Sequence, residues 1–362
     1  MSFIADYNCF TPLGANLPAT LARLDEGVSG IRFFENSGLL PVPYHAARIT
    51  GSVLAHAGFT RLENMLIRAL EPVIERNPVQ GRSLLLVSTT KGNISALTGE
   101  ELVPDAFLPE MARKVARHFG FRETPWVLSN ACVSGILAVA VAKRVIDAGA
   151  YDAVYIVAGD EVTEFVLSGF AGFQALSSGP CRPYDKNRDG VTLGEAAAAA
   201  LVTKEPGLFR VAGDGAVNDA NHISGPSRTG EGLYRSICRA LEEAGMNGHD
   251  LDFISAHGTA TEYNDEMEAI ALDRLGLNRV PVNSLKGYFG HTLGASGLLE
   301  AVISFESARR GILYPSLGFE TPGVSREIHV VQAPEKKEVR YFMKTASGFG
   351  GCNTAVIFEK LN

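Results

Sequence analysis

No two cysteines in the chain lie close together. The five, Cys9, Cys132, Cys181, Cys238 and Cys352, are odd in number and widely spaced. That argues against a zinc knuckle and a disulfide scaffold, and fits a reducing, cytoplasmic setting. A basic surplus is also missing. The formal net charge is -7, so a phosphate-backbone partner is disfavoured and no nucleic acid is expected. No block of like charge reads as an interaction tail. No stretch of about eighteen apolar residues escapes charge or turn signals, so no membrane span is expected. The opening MSFIADYNCFTPLG has no basic region followed by a long apolar run, so no signal peptide is expected. With no proline-rich or low-complexity linker, the chain should pack as one body.

What is present suits a large enclosed core. The 362 residues are 46% hydrophobic, enough for one large domain or two intimately packed ones. The 38 glycines show no collagen-like period and suit tight turns and close backbone contacts. Strand-like and helix-like segments alternate. Residues 83–90, 125–129, 153–161, 196–203, 208–215, 251–258 and 280–287 read as strands, although alanine-rich 196–203 is weak by propensity. Residues 107–120, 231–245 and 264–276 read as amphipathic helices, the last with Asn264 as its cap. Segments 339–350 and 352–359 read as a terminal hairpin. Two long helices, 135–149 and 294–311, are apolar around most of their circumference and so should be buried. Each follows a short strand and a Gly/Ser loop, which suggests two halves of similar design even though the residues match poorly. An α/β fold follows.

The segment SNACVSG places Cys132 between a short strand and one of these buried helices. Free cysteine is commonly a small core residue, and small neighbours also serve close packing. The same context resembles a nucleophile elbow, where helix N–H groups lower a thiol pKa and hold an oxyanion. The segment alone leaves both readings open. His257 in SAHGTATEYND and His291 in NSLKGYFGHTLGASG sit in glycine- and threonine-rich loops after strands, where α/β folds collect functional groups. The settings of His45, His56, His118, His222 and His249 read as surface or structural.

These stretches resemble the β-ketoacyl-[acyl-carrier-protein] synthases of the condensing-enzyme (thiolase-like) superfamily, the elongating Cys–His–His type in particular. NACVSG, CRPYDKNRDGVTLGEAAA, AHGTATEYNDEMEA, VNSLKGYFGHTLGASG and ASGFGGCNTAVIF occur in family order over nearly the whole chain. The resemblance implies a five-layered α-β-α-β-α fold of two similar halves, 1–205 carrying the cysteine and 206–362 carrying the histidines. It implies that Cys132 accepts an acyl group from a carrier-protein thioester, and that His257 and His291 support decarboxylation of a malonyl thioester. The resulting carbanion attacks the Cys132 thioester and leaves a β-ketoacyl chain on the carrier. Lys286 would tune the histidines and pair with Glu268. Phe349 would gate the site and give an N–H, with that of Cys132, to an oxyanion hole. Thr259 and Thr261 would bind substrate, and Asp185, Arg188 and Asp189 would hold one another nearby. Asp265 and Glu266 read as helix-start acids that favour the dipole.

No cofactor or metal is implied. The implied partners are an acyl carrier protein, acyl and malonyl thioesters, and a second copy or a related ketosynthase-like subunit, paired through the strand near 125–129. Arg113, Lys114 and Arg117 form a candidate carrier-docking patch that a solvated helix face explains equally well. Departures from the family pattern include a short N-terminus, GEAAA at 194–198, Val133 after the cysteine, and Cys352 in GCN. Cys352 reads as structural. The alternative is a weakly active or non-condensing subunit that shapes a partner's chain length, which the intact Cys132, His257 and His291 count against.

Overall fold

A computed structural model describes residues 1–35, 38–51, 53, 56–97, 103–220 and 225–361; His222 lies outside them. Two five-stranded arrays dominate. In space the first runs Phe3–Phe10, Ala196–Thr203, Ala153–Asp160, Ser83–Ser88, Trp126–Leu128, and the second Phe209–Asn218, Cys352–Lys360, Tyr341–Ser347, Phe253–Ser255, Val282–Asn283. Numbered along the chain, each array has the order 1-5-4-2-3. Each also has the same pairings: antiparallel, antiparallel, parallel, parallel. The two meet through a short antiparallel contact, Phe3 opposite Arg210 and Ile4 opposite Phe209. The halves are therefore similar in topology where their residues are not.

Strand alternation builds the layers. In the first array Leu84, Leu86, Val154, Ile156 and Ala158 face one core. Leu85, Val87, Tyr155 and Val157 face another, under the helices Arg61–Arg76 and Leu108–His118. In the second array Phe342, Ala346, Val356 and Phe358 join the first core. Met343, Ala355 and Ile357 pack against Glu231–Ala244 and Glu262–Arg274. The central core holds the two apolar helices, Ser134–Asp147 and Ser296–Arg310. The result is the expected five layers, helix–sheet–helix–sheet–helix. The run Ala196–Thr203 is a strand despite its propensity because both its faces are buried against helices.

The helix Arg61–Arg76 had no counterpart in the sequence reading. It starts with a capping box, Thr60 with Glu63, but Pro72 inside it interrupts the helical pattern. Asn264 does not cap a helix. The helix begins at Glu262 after Thr261, and the buried Asn264 amide donates to Glu268 Oε2 at 2.9 Å. Among the described residues no helix is long and apolar enough to cross a membrane.

The central helices cross at two glycines. A Cβ on Gly135 would lie 2.7 Å from the Leu298 nitrogen, and one on Gly297 would lie 2.6 Å from the Ile136 nitrogen. Backbone cannot yield to a methyl group as a side-chain tip can, and overpacking of this kind costs about 1–3 kcal/mol. Gly297→Ala should therefore lower unfolding stability by about 2 kcal/mol in a denaturant titration. Unchanged stability would show that the helices part freely.

Candidate active site

Each central helix begins with the same local device. Ala131 sits in the left-handed region at φ 44°, and the Ser134 hydroxyl accepts the Asn130 N–H at 2.7 Å and donates to the Ala131 carbonyl at 2.6 Å. In the other half Leu293 sits at φ 51°, and the Ser296 hydroxyl accepts the Thr292 N–H at 3.0 Å. The segments ACVSG (131–135) and LGASG (293–297) thus match in Ser, Gly and backbone form. A left-handed backbone costs a non-glycine residue on the order of 1–2 kcal/mol, and here the serine bonds and the packed helix starts hold it. The glycine crossing sets the two helix starts side by side. Asp160, at the end of its strand, accepts the Gly294 N–H at 2.7 Å and the Thr89 hydroxyl at 2.8 Å, tying the second turn to the first array. Cys132 Sγ consequently lies 3.0 Å from His291 Nε2.

His257 completes the cluster. Its ring stands 5.3 Å from that of His291 at an interplanar angle of 83°. One ligand-type atom from each of Cys132, His257 and His291 lies within 4.8 Å of the others. Lys286 is fully buried, and its ammonium has three partners: the His257 carbonyl at 2.5 Å, Glu300 Oε1 at 2.8 Å and His257 Nδ1 at 3.4 Å. An ammonium only donates, so Nδ1 of His257 accepts and the ring proton sits on Nε2. His291 differs, because its Nδ1 meets the Ser296 hydroxyl at 2.9 Å, a group that both donates and accepts. Either tautomer of His291 is therefore accommodated.

The expected Lys286–Glu268 pair does not form. Lys286 pairs with Glu300, which also meets Lys344 at 2.7 Å through Oε2. Glu268 instead accepts the backbone N–H groups of His257 at 2.8 Å and Gly258 at 2.6 Å, and the Tyr184 hydroxyl at 3.1 Å. It holds the histidine loop by its main chain. Asp265 stands in the first turn of the helix Glu262–Arg274, as expected. It is buried, accepts from the Thr259, Ala260 and Tyr184 amides, and is pushed up to about 7 by burial and by Glu268. The Arg188 guanidinium holds Asp185 by its main-chain carbonyl at 3.0 Å, while among the described residues Asp189 bonds to neither. Asp185 takes the amides of Glu320 and Thr321, Arg188 donates to the Gly323 carbonyl, and Asp189 takes Ser177 and Ser178.

Burial decides the resting protonation. It pushes the Cys132 thiol up to about 11 against the opposing pull of Lys286. It holds the His291 imidazolium well below its usual range, with Lys286 and Lys344 adding to the effect. The helix start beside Cys132 was expected to lower its pKa, but desolvation outweighs that dipole. The resting pair is a thiol beside a neutral imidazole.

A cavity of about 420 Å³ opens over these groups. Thr259 and Thr261 line it, their hydroxyls 2.8 Å apart. Phe349 stands at its wall, 38% exposed and stacked on Phe170 at 6.0 Å. A Cβ on Gly348 would come within 3.2 Å of the Cys132 nitrogen, so this turn lies against the cysteine. Among the described residues the Cys132 and Phe349 amides have no backbone acceptor. Arg113, Lys114 and Arg117 do not line the cavity; Lys114 pairs with Glu63 at 3.0 Å on the outer helical layer. Cys352 is half-buried, with its thiol 3.4 Å from Asn218 Oδ1.

The sequence reading missed Glu300, Lys344, Ser296 and Asp160. Glu300 was the most readable: an acid in an apolar, buried helix needs a partner, and two lysines supply it.

Known proteins resemble this chain in sequence and in fold. The description "Beta-ketoacyl synthase, N-terminal domain" matches residues 91–206, and "Beta-ketoacyl synthase, C-terminal domain" matches 208–320. The "3-oxoacyl-[acyl-carrier-protein] synthase 2" of Rhizobium meliloti is 34% identical over 279 residues, covering 71% of this chain and 66% of its own length, just under two thirds. The protein of the same name from Vibrio cholerae is 30% identical over 356 residues, covering 92% of this chain and 81% of its own. A ketosynthase solved with its chain length factor, from Xenorhabdus doucetiae, superimposes with a TM-score of 0.90 at 24% identity, over 99% of this chain and 98% of that one. A β-ketoacyl synthase from Burkholderia phymatum gives 0.91 at 22%, over 100% and 99%.

The thiol–imidazole ground state has a direct readout. Below its pKa, each pH unit raises the thiolate fraction about tenfold. The rate of Cys132 alkylation should therefore climb steadily from about pH 6 to 9 without an inflection. A plateau reached near neutrality would reveal a resting thiolate–imidazolium pair instead.

Proposed function

The chain belongs to the β-ketoacyl synthase family, and on that premise we propose that it catalyses decarboxylating condensation of a Cys132-bound acyl group with a malonyl-carrier-protein thioester. The carrying observation is the convergence of Cys132 Sγ with His291 Nε2 at 3.0 Å, beside a His257 ring whose tautomer Lys286 fixes.

In the first half-reaction the Cys132 thiol attacks the acyl thioester carbonyl. Its proton passes to His291 Nε2, the carbonyl oxygen is held by the Cys132 and Phe349 amides, and the carrier thiolate leaves and takes up the proton. In the second, malonyl thioester loses CO2. The enolate oxygen is stabilised by His257 Nε2–H and by His291, whose Ser296 partner permits an Nε2–H tautomer. The enolate carbon attacks the Cys132 thioester, a C–C bond forms, the C–S bond breaks, and the thiolate takes up a proton from solvent. The products are β-ketoacyl carrier and CO2. Lys286 and Glu268 act as positioning residues, one on the His257 ring and the other on its backbone. Thr259 and Thr261 bind the incoming carrier arm, and Phe349 gates the cavity.

The same reading assigns the cysteine half to residues 1–205 and the histidine half to 206–362, with pathway use in fatty-acid, polyene or polyketide assembly. It places the protein in the cytoplasm, in keeping with five free cysteines. The partner subunit, a second copy or a related ketosynthase-like chain, adds across Trp126–Leu128. That strand ends the first array and leaves Trp126 42% exposed. A purely non-condensing role is disfavoured by the complete cluster.

Intact-mass measurement with acyl-carrier protein should show acylation of the wild type and none of Cys132→Ala. His257→Ala should still acylate yet decarboxylate malonyl-carrier at least about a hundredfold more slowly. Acylation of Cys132→Ala, or full decarboxylation by the histidine variant, would contradict the proposed roles.

A further inference from the structure

A second convergence lies on the outer helical layer, among residues whose settings carried no signal in sequence. Glu71 is on the helix Arg61–Arg76, His118 ends the helix Leu108–His118, and His56 lies in the loop ahead of the first. His56 Nε2 is 4.0 Å from Glu71 Oε1, and the two imidazole rings stand 4.9 Å apart at 69°. One ligand-type atom from each of the three lies within 4.8 Å of the others. None of them lines the cavity at Cys132.

The arrangement is held from outside. Asn64 accepts the His56 N–H at 2.8 Å and returns a bond to its carbonyl at 3.3 Å, which fixes the loop on the first helix. Phe59 and Phe119 meet the His118 ring edge-on, at 5.2 and 4.7 Å. Among the described residues no hydrogen bond reaches a ring nitrogen of His118. Two facing imidazoles and one carboxylate form a donor set suited to a borderline divalent ion, and imidazole binds metal in its neutral form.

We infer that His56, Glu71 and His118 form a site for one divalent first-row cation of the zinc class, separate from the reaction centre. Donors of a tetrahedral zinc site stand about 3.3 Å apart, so side-chain rotation of the half-exposed Glu71 and the exposed His118 closes the present spacing. The remaining position stays open to water. Bound metal would tie the loop at His56 to the end of the helix at His118, cross-linking the outer layer of the first array.

The test uses the full chain carrying Cys132→Ala, so that the reaction-centre thiol gives no competing ligand, stripped with chelator and titrated with zinc or cobalt(II). One equivalent should bind, raise Tm, and give a cobalt spectrum free of thiolate charge transfer. His118→Ala and, independently, Glu71→Gln in the same background should each weaken zinc binding about tenfold or more. Failure to bind a stoichiometric equivalent, or binding indifferent to both substitutions, would overturn the site.

Discussion

Gly135 and Gly297 lie against each other's helices, where a methyl group on either would meet main-chain nitrogen at 2.7 or 2.6 Å. This contact sets the separation of the helices Ser134–Asp147 and Ser296–Arg310, and so of the two turns that begin them. One turn carries Cys132 and the other follows His291. The 3.0 Å between sulfur and imidazole is thus a property of the central layer, enforced by two sheets that enclose it from either side. The strained backbone at Ala131 and Leu293 survives because the packing over-determines it.

The second constraint is electrostatic. Two lysines and a glutamate are buried together behind the histidines: Lys286, Lys344 and Glu300. Removing Glu300 would leave two buried ammonium groups without their shared counter-charge, so the trio depends on the glutamate. Its service to the site is orientation. Lys286 is committed in three directions, and one of them selects the tautomer of His257. Positive charge behind the His291 ring adds to burial in disfavouring its protonation.

Much of this was readable in the residues. The strand and helix alternation marked the elements, and the two buried helices marked the halves, though the halves share only the Ser–Gly of ACVSG and LGASG at the points that matter. Cys132, His257 and His291 stood out by loop context. The partner of Lys286 did not, because Glu268 and Glu300 are both acids within reach in sequence and only the fold decides which helix faces the ammonium. The thiol pKa was misread for a related reason: sequence displays the nearby helix start but not the burial that outweighs it. Asn264 looked like a cap because it precedes an acidic run, whereas its amide is spent on Glu268 inside the helix. The pairing of His56 with His118 had no local signature, since the two lie on separate elements brought together by the packing of the outer layer.

The central claim is the proposed one, that this layer sets thiol and imidazoles for carbon–carbon bond formation. The most direct measurement is a single turnover: enzyme acylated on Cys132 is mixed with malonyl-carrier protein, and the carrier product and released CO2 are measured together. The account predicts β-ketoacyl carrier and CO2 in equal amounts, with loss of the acyl group from the enzyme. Release of free fatty acid without a new carbon–carbon bond, or CO2 with no lengthened carrier product, would contradict it.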